Sequence, residues 1–109
     1  MLEIQRSALV EYSAQQMFDL VNDVNDYPNC LPGCVLSEVG EQSDLFMNAR
    51  LVLKKGLIEQ SFSTKNTLVR GKSIKLELLD GPFKSLQGKW IFHELTDDAC
   101  KVQFDLEFE

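Results

Sequence analysis

The residues with the chemistry to hold a metal or attack a substrate are few: Cys30, Cys34, Cys100 and a single histidine, His93. Two of them fall in one short stretch, Asp26 to Cys34 (DYPNCLPGC), together with Tyr27, Pro28, Pro32 and Gly33. Their C-x3-C spacing is not the C-x2-C of a redox pair or a zinc ribbon. A tetrahedral site would have to bring in Cys100 and His93 from distant segments, so no metal centre is expected. No serine sits in a G-x-S-x-G elbow, and His93 lies inside a strand-like alternation, which leaves no nucleophilic triad. Three cysteines without a secretion signal are expected to be reduced thiols. The alternatives left for DYPNCLPGC are a plain connection between elements and the rim of a binding pocket.

Composition narrows the function classes. The chain has 109 residues, enough for one domain spanning 1–109 with one core. Seventeen acidic against eleven basic residues give a net charge of -6, the wrong sign for coating a phosphate backbone, so DNA is not an expected partner. No apolar run is long enough for a membrane-spanning helix, and the start lacks a signal-peptide pattern. A cytoplasmic protein without a transmembrane segment is expected.

The elements follow from periodicity. Leu2 to Tyr12 alternates as a strand, with Leu2, Ile4, Ala8, Val10 and Tyr12 on one side. Ser13 and Gln16 form a capping-box pattern. Met17, Leu20, Val21 and Val24 then recur at helical spacing, predicting a helix from Ala14 to about Val24. Pro28 and Pro32 limit the next segment to a short helical turn, Asp26 to Leu31. Strands follow at the rhythm of an antiparallel meander: Val35 to Glu41, Leu45 to Lys54, Leu57 to Val69, Ser73 to Leu79, Ser85 to Leu95 and Ala99 to Glu109. Leu86, Gly88, Trp90 and Phe92 share one face of the fifth of these, and Cys100, Val102, Phe104, Leu106 and Phe108 one face of the sixth.

A strand, one or two helices and a long meander make an α+β fold of β-α-α-β(5-6) order. Its sheet carries more apolar surface than one short helix covers, and twisted strands curl it into a half-barrel. The sequence stops at QFDLEFE inside a strand pattern, which predicts that a carboxy-terminal helix covering the concave face lies outside this chain. Self-association or a bound apolar molecule is the expected substitute.

SAQQMFDLVNDVNDYPNCLPGC and LLDGPFKSLQGKWIFHEL resemble the two hallmark segments of the coenzyme Q-binding, polyketide cyclase-like family within the START-like, helix-grip superfamily. The resemblance covers the whole chain in order, and the family's bacterial members include ribosome association toxins. It implies a curved antiparallel sheet gripped by a carboxy-terminal helix. It departs at that terminal helix and at Cys30, where an aromatic residue usually follows the Tyr-Pro pair.

The resemblance also implies the first functional expectation: binding of a hydrophobic small molecule, ubiquinone being the natural candidate, in support of respiratory quinone function. The expected cavity residues are Phe18, Val24, Tyr27, Leu31, Phe62, Leu78, Phe83, Trp90 and Phe92, with Gln60 or Asn66 for a polar contact. Tyr27 and Leu31 are equally suited to packing a corner, and Phe83 to pinning its own loop. No catalytic residue is expected, because a cyclase needs a positioned acid or base and the inward faces offer neutral groups. The second expectation is a toxin that binds the large ribosomal subunit and blocks subunit association. Lys54, Lys55, Lys65, Arg70, Lys72 and Lys75 would supply a basic patch, with Lys54, Lys55, Lys72 and Phe83 facing the ribosome. A solvated outer sheet face is the alternative role for those charges.

Overall fold

The computed structural model describes residues 2–109. The elements run β1 (Leu2–Val10), α1 (Ala14–Asn22), a 3-10 turn (Val24–Asp26), α2 (Tyr27–Cys30), β2 (Cys34–Gln42), β3 (Phe46–Lys55), β4 (Ile58–Val69), β5 (Ser73–Asp80), β6 (Leu86–Thr96) and β7 (Ala99–Phe108). This is the expected α+β order, with boundaries that differ by a residue or two. The strands form one seven-stranded sheet in the order β1-β7-β6-β5-β4-β3-β2. Every pairing is antiparallel. Strands β2 to β7 follow the sequence as a meander, and β1 joins at the far edge beside β7. Register shifts within β2, at Ser63/Thr64 and at Glu94/Thr96 mark bulges, which bend strands and increase their twist.

Helix α1 starts where the sequence says it should. The Ser13 hydroxyl accepts from the Gln16 amide at 3.1 Å, while the Gln16 side-chain oxygen accepts from the Ser13 amide at 2.9 Å. Two otherwise orphaned donors are satisfied at once. The helix ends at Asp23, whose φ of -82° and ψ of 70° leave the helical region. Its apolar face lies over β5, β6 and β7 and buries Ala14 and Phe18. The Phe18 and Phe92 rings meet edge to face, centroids 5.9 Å apart, among Ile74, Cys100, Val102 and Leu68. Each large side chain buried there contributes about 1.5 to 3 kcal/mol.

Several apolar residues expected on inner faces project beyond this core. Tyr12 follows the end of β1 and is exposed, as are Leu2 on the edge strand, Leu45 in the turn before β3 and Ile58 at the start of β4. Alternation assigns a residue to a face of the sheet; it does not say whether another element reaches that far along the strand. All three cysteines are free thiols, Cys34 and Cys100 buried and Cys30 exposed. Among the described residues, no group of His, Cys, Asp or Glu could hold a metal ion. No helix of the described residues is long and apolar enough to cross a membrane.

Candidate functional site: an apolar groove

Beyond α1, the helix-bearing side of the sheet opens into a groove of about 410 Å³. Val21, Val24, Tyr27 and Leu31 form its helical wall. Ala49, Leu51 and Leu53 of β3, Phe62, Thr64 and Asn66 of β4, Ile74 and Leu76 of β5, Leu86 and Trp90 of β6, and Phe104 and Leu106 of β7 form its floor. Cross-strand register assembles that floor: Leu51 lies opposite Phe62, Leu76 opposite both Asn66 and Gly88, and Trp90 opposite Phe104. The Trp90 and Phe104 rings are 4.4 Å apart, the closest aromatic pair among the described residues. Gly88 lets the Leu106 and Leu76 side chains close in from the neighbouring strands, since a Cβ there would stand 3.0 Å from the Leu106 side chain and 3.4 Å from that of Leu76.

Two segments frame the groove. In DYPNCLPGC, Pro28 sits in the first turn of α2, where its missing amide hydrogen costs nothing. The Tyr27 hydroxyl donates to the Val21 carbonyl and ties α2 back to α1. Burial first, and then the neighbouring Cys30, Asp23 and Cys34, push the Tyr27 phenol up to about 12. It stays a neutral donor at ordinary pH. At the other end, the β5–β6 loop packs Phe83 edge to face against Phe62 and Phe108, at 6.0 and 5.8 Å. Gly81 makes that approach with φ of 154°, and a Cβ on it would lie 2.7 Å from the Phe62 Cβ.

Of the residues expected to line a cavity, Val24, Tyr27, Leu31, Phe62, Trp90 and Asn66 do border the groove. Phe18 and Phe92 do not. They fill the core beneath α1, because the helix crosses the sheet at that level. Leu78 and Phe83 also lie outside the lining: Leu78 packs beside Gly81, and Phe83 is held in its own loop by two rings. Gln60 is exposed near the β3–β4 turn, beyond the groove. Leu51, Leu76, Phe104 and Leu106 are among the lining residues that alternation places on inner faces without singling them out.

The expected single basic patch is divided. Lys54 and Lys55 lie at one end of the β3–β4 hairpin, while Arg70 and Lys72 lie past the other end of β4. Twelve residues of strand separate them, roughly 35 Å of backbone. Between the ends, Lys65 covers the Phe46 ring at 5.5 Å and stands opposite Glu77, which also pairs with Lys75 at 3.3 Å. Neighbours in sequence at hairpin turns are far apart in space when the strands between them are long.

Comparison with known proteins places this architecture. A family model described as polyketide cyclase / dehydrase and lipid transport matches residues 10–109. The chain belongs to this family. Within it, the ribosome association toxin RatA of Vibrio cholerae is 52% identical over 109 residues, covering the whole chain and 76% of that protein. RatA of Pseudomonas aeruginosa is 50% identical over 106 residues, covering 97% of the chain and 74% of that protein. The mitochondrial coenzyme Q-binding protein COQ10 of Drosophila melanogaster is more distant, 29% identical over 108 residues and covered over 45% of its length. Among solved structures, the Zhui aromatase/cyclase of Streptomyces sp. R1128 superposes with a TM-score of 0.89 at 16% identity, covering 99% of this chain and 67% of that one. A START superfamily protein of Mycobacterium smegmatis gives 0.84 at 19% identity, covering 98% and 76%. At such identities these two establish the helix-grip fold of the polyketide cyclase family and nothing of its chemistry.

Proposed function

We propose that this chain acts on ribosomes as a RatA-type factor, binding the large subunit and interfering with subunit association. That activity belongs in the cytoplasm. The observation that carries the reading is identity spread over the whole chain: 52% with the Vibrio cholerae toxin, against 29% with COQ10. This reverses the order of the two expectations drawn from sequence, in which quinone binding came first. The net charge of -6 favours a local contact over a broad phosphate-coating one. The exposed Lys54–Lys55 turn and the separate Arg70–Lys72 turn are the candidate contacts.

Sucrose-gradient sedimentation with purified ribosomal subunits tests it. The chain should travel with the large subunit and lower the fraction of joined ribosomes. Free chain at the top of the gradient, with subunit joining unchanged, would overturn the reading. Lys54→Glu with Lys55→Glu, compared with Lys72→Glu, then tells which turn makes contact.

A second reading rests on a separate observation, the open apolar groove: it receives a hydrophobic small molecule. The two readings are compatible, because the groove and the charged turns occupy different places on the sheet. Binding without catalysis is favoured by the lining, where the titratable side chain is Tyr27 and its proton is engaged with Val21. Ubiquinone is a candidate on the strength of the COQ10 likeness. Organic extraction of protein from its native host, followed by mass spectrometry, checks it: a near-stoichiometric apolar compound is expected, and an empty extract from folded protein would count against groove occupancy.

A further inference from the structure

Two polar side chains interrupt the apolar floor of the groove. Thr64 and Asn66 stand two residues apart on β4 and so face the same way. Their cross-strand neighbours are Ala49 and Leu78 for Thr64, and Met47 and Leu76 for Asn66. Both are buried, with exposures of 7% and 6%. An amide placed among aliphatic side chains is costly unless its groups are bonded.

Half of that amide is bonded. The Thr64 hydroxyl donates its single proton to Asn66 Oδ1 at 2.8 Å. This turns the oxygen toward Thr64 and the nitrogen away from it. Among the described residues Nδ2 has no hydrogen-bond partner, yet it is not sealed off: the sealed, unpartnered side-chain atoms are Asn22 Oδ1, Ser37 Oγ and Asn48 Oδ1. The Asn66 nitrogen therefore reaches groove space. The Tyr27 hydroxyl is committed to Val21, and no Lys, Arg or His among the described residues borders the groove.

We propose that Asn66 determines the specificity of the groove, selecting neutral apolar molecules that carry a carbonyl-type oxygen over hydrocarbons and carboxylates of the same size. The proposal rests on the groove-binding reading above and deepens it. A carbonyl oxygen accepts the free N–H of Asn66. A hydrocarbon leaves that donor unpaired, and a carboxylate enters without a counter-charge. Thr64 is the positioning residue: its donated proton keeps the amide oxygen from turning inward, where it would face the incoming carbonyl.

The test uses three probes of similar shape, 2-acetylnaphthalene, 2-ethylnaphthalene and 2-naphthoate, titrated into the 109-residue chain labelled with nitrogen-15. The ketone should bind about five- to tenfold tighter than the hydrocarbon, the advantage of one added hydrogen bond, and the carboxylate most weakly. Only the ketone should move the Asn66 side-chain amide resonances strongly. In Asn66→Leu the preference should vanish while the hydrocarbon still binds, and in Thr64→Val it should shrink. A role confined to stability would leave this preference unchanged. Equal affinity for ketone and hydrocarbon in the wild type, or a preference that survives Asn66→Leu, overturns the assignment to Asn66 and leaves groove binding intact. Failure of all three probes to bind overturns both. Should Asn66→Leu not fold, the wild-type resonances and Thr64→Val decide the matter alone.

Discussion

Phe92 and Trp90 sit two residues apart on β6, on the same face, their rings parallel at 6° and 6.4 Å apart. Phe92 is 3% exposed under α1, whereas Trp90 is half-buried on the floor of the groove. One strand therefore serves two regions with opposite properties. Under α1 the sheet is closed by Ala14 and Phe18 and packed as a core. A few ångströms along, the same kind of aromatic surface is left open. What separates a core position from a site position here is the reach of a nine-residue helix, and not residue type.

Substitutions at the two ends should therefore separate. Phe92→Ala should lower stability by about 3 to 5 kcal/mol in denaturant unfolding, since it leaves a cavity with no freedom to collapse. Trp90→Ala should cost less than half as much and act chiefly on binding of the apolar probes. Equal losses for the two would break the comparison. The groove end has its own strained position, and Gly81→Ala should destabilise by about 2 kcal/mol, because its backbone conformation and the nearby Phe62 both oppose a side chain.

Alkaline pH probes the wall between the regions. The folded protein holds the Tyr27 proton up to about 12, above the ordinary 10. Stability from this group is fully present below pH 10, where both states are protonated, and is lost between pH 10 and 12, where the unfolded chain has released the proton. The loss should be about 1 to 2 kcal/mol for a partly exposed side chain, and Tyr27→Phe should abolish this part of the slope. At the closed end, Ser13→Ala should cost about 1 kcal/mol by loosening the start of α1. Its effect should appear in thermal unfolding and leave the groove's preference among probes untouched. Smallest of all, Lys54→Glu with Lys55→Glu should change stability by under about 0.5 kcal/mol per site, whatever it does to ribosome binding.

Local signals made most of the fold legible. The capping box at Ser13 and Gln16, the period-two faces of β6 and β7, and the turn signals between strands each act over a few residues, and each is where it was expected. The site was legible only in part. Trp90, Phe62 and Asn66 border the groove as their faces implied, but Phe92, on the same face as Trp90, belongs with Phe18 of α1 to the core. The position at which α1 crosses the sheet separates them, and that is a property of packing between distant elements. From sequence Phe83 suits a cavity, a ribosome contact or the anchoring of its own loop; it lies outside the groove lining, and its contacts with Phe62 and Phe108 anchor the loop. The basic cluster is divided for a geometric reason: the twelve residues of β4 set the Lys54 and Lys72 turns at opposite ends of the strand.

The place of β1 in the sheet bears on how the molecule is made. Strands β2 to β6 each pair with the next strand in sequence, so each hairpin can zip as soon as its second strand is available. β1 pairs with β7, Leu2 opposite Phe108 and Val10 opposite Cys100. The helix that follows it also packs on β5, β6 and β7. β1 thus has its partner about a hundred residues further along the chain, and closing so long a loop is entropically slow. During synthesis β1 and α1 must wait, unpaired, until β7 has left the ribosome, and the core around Phe18 and Phe92 can be sealed only then.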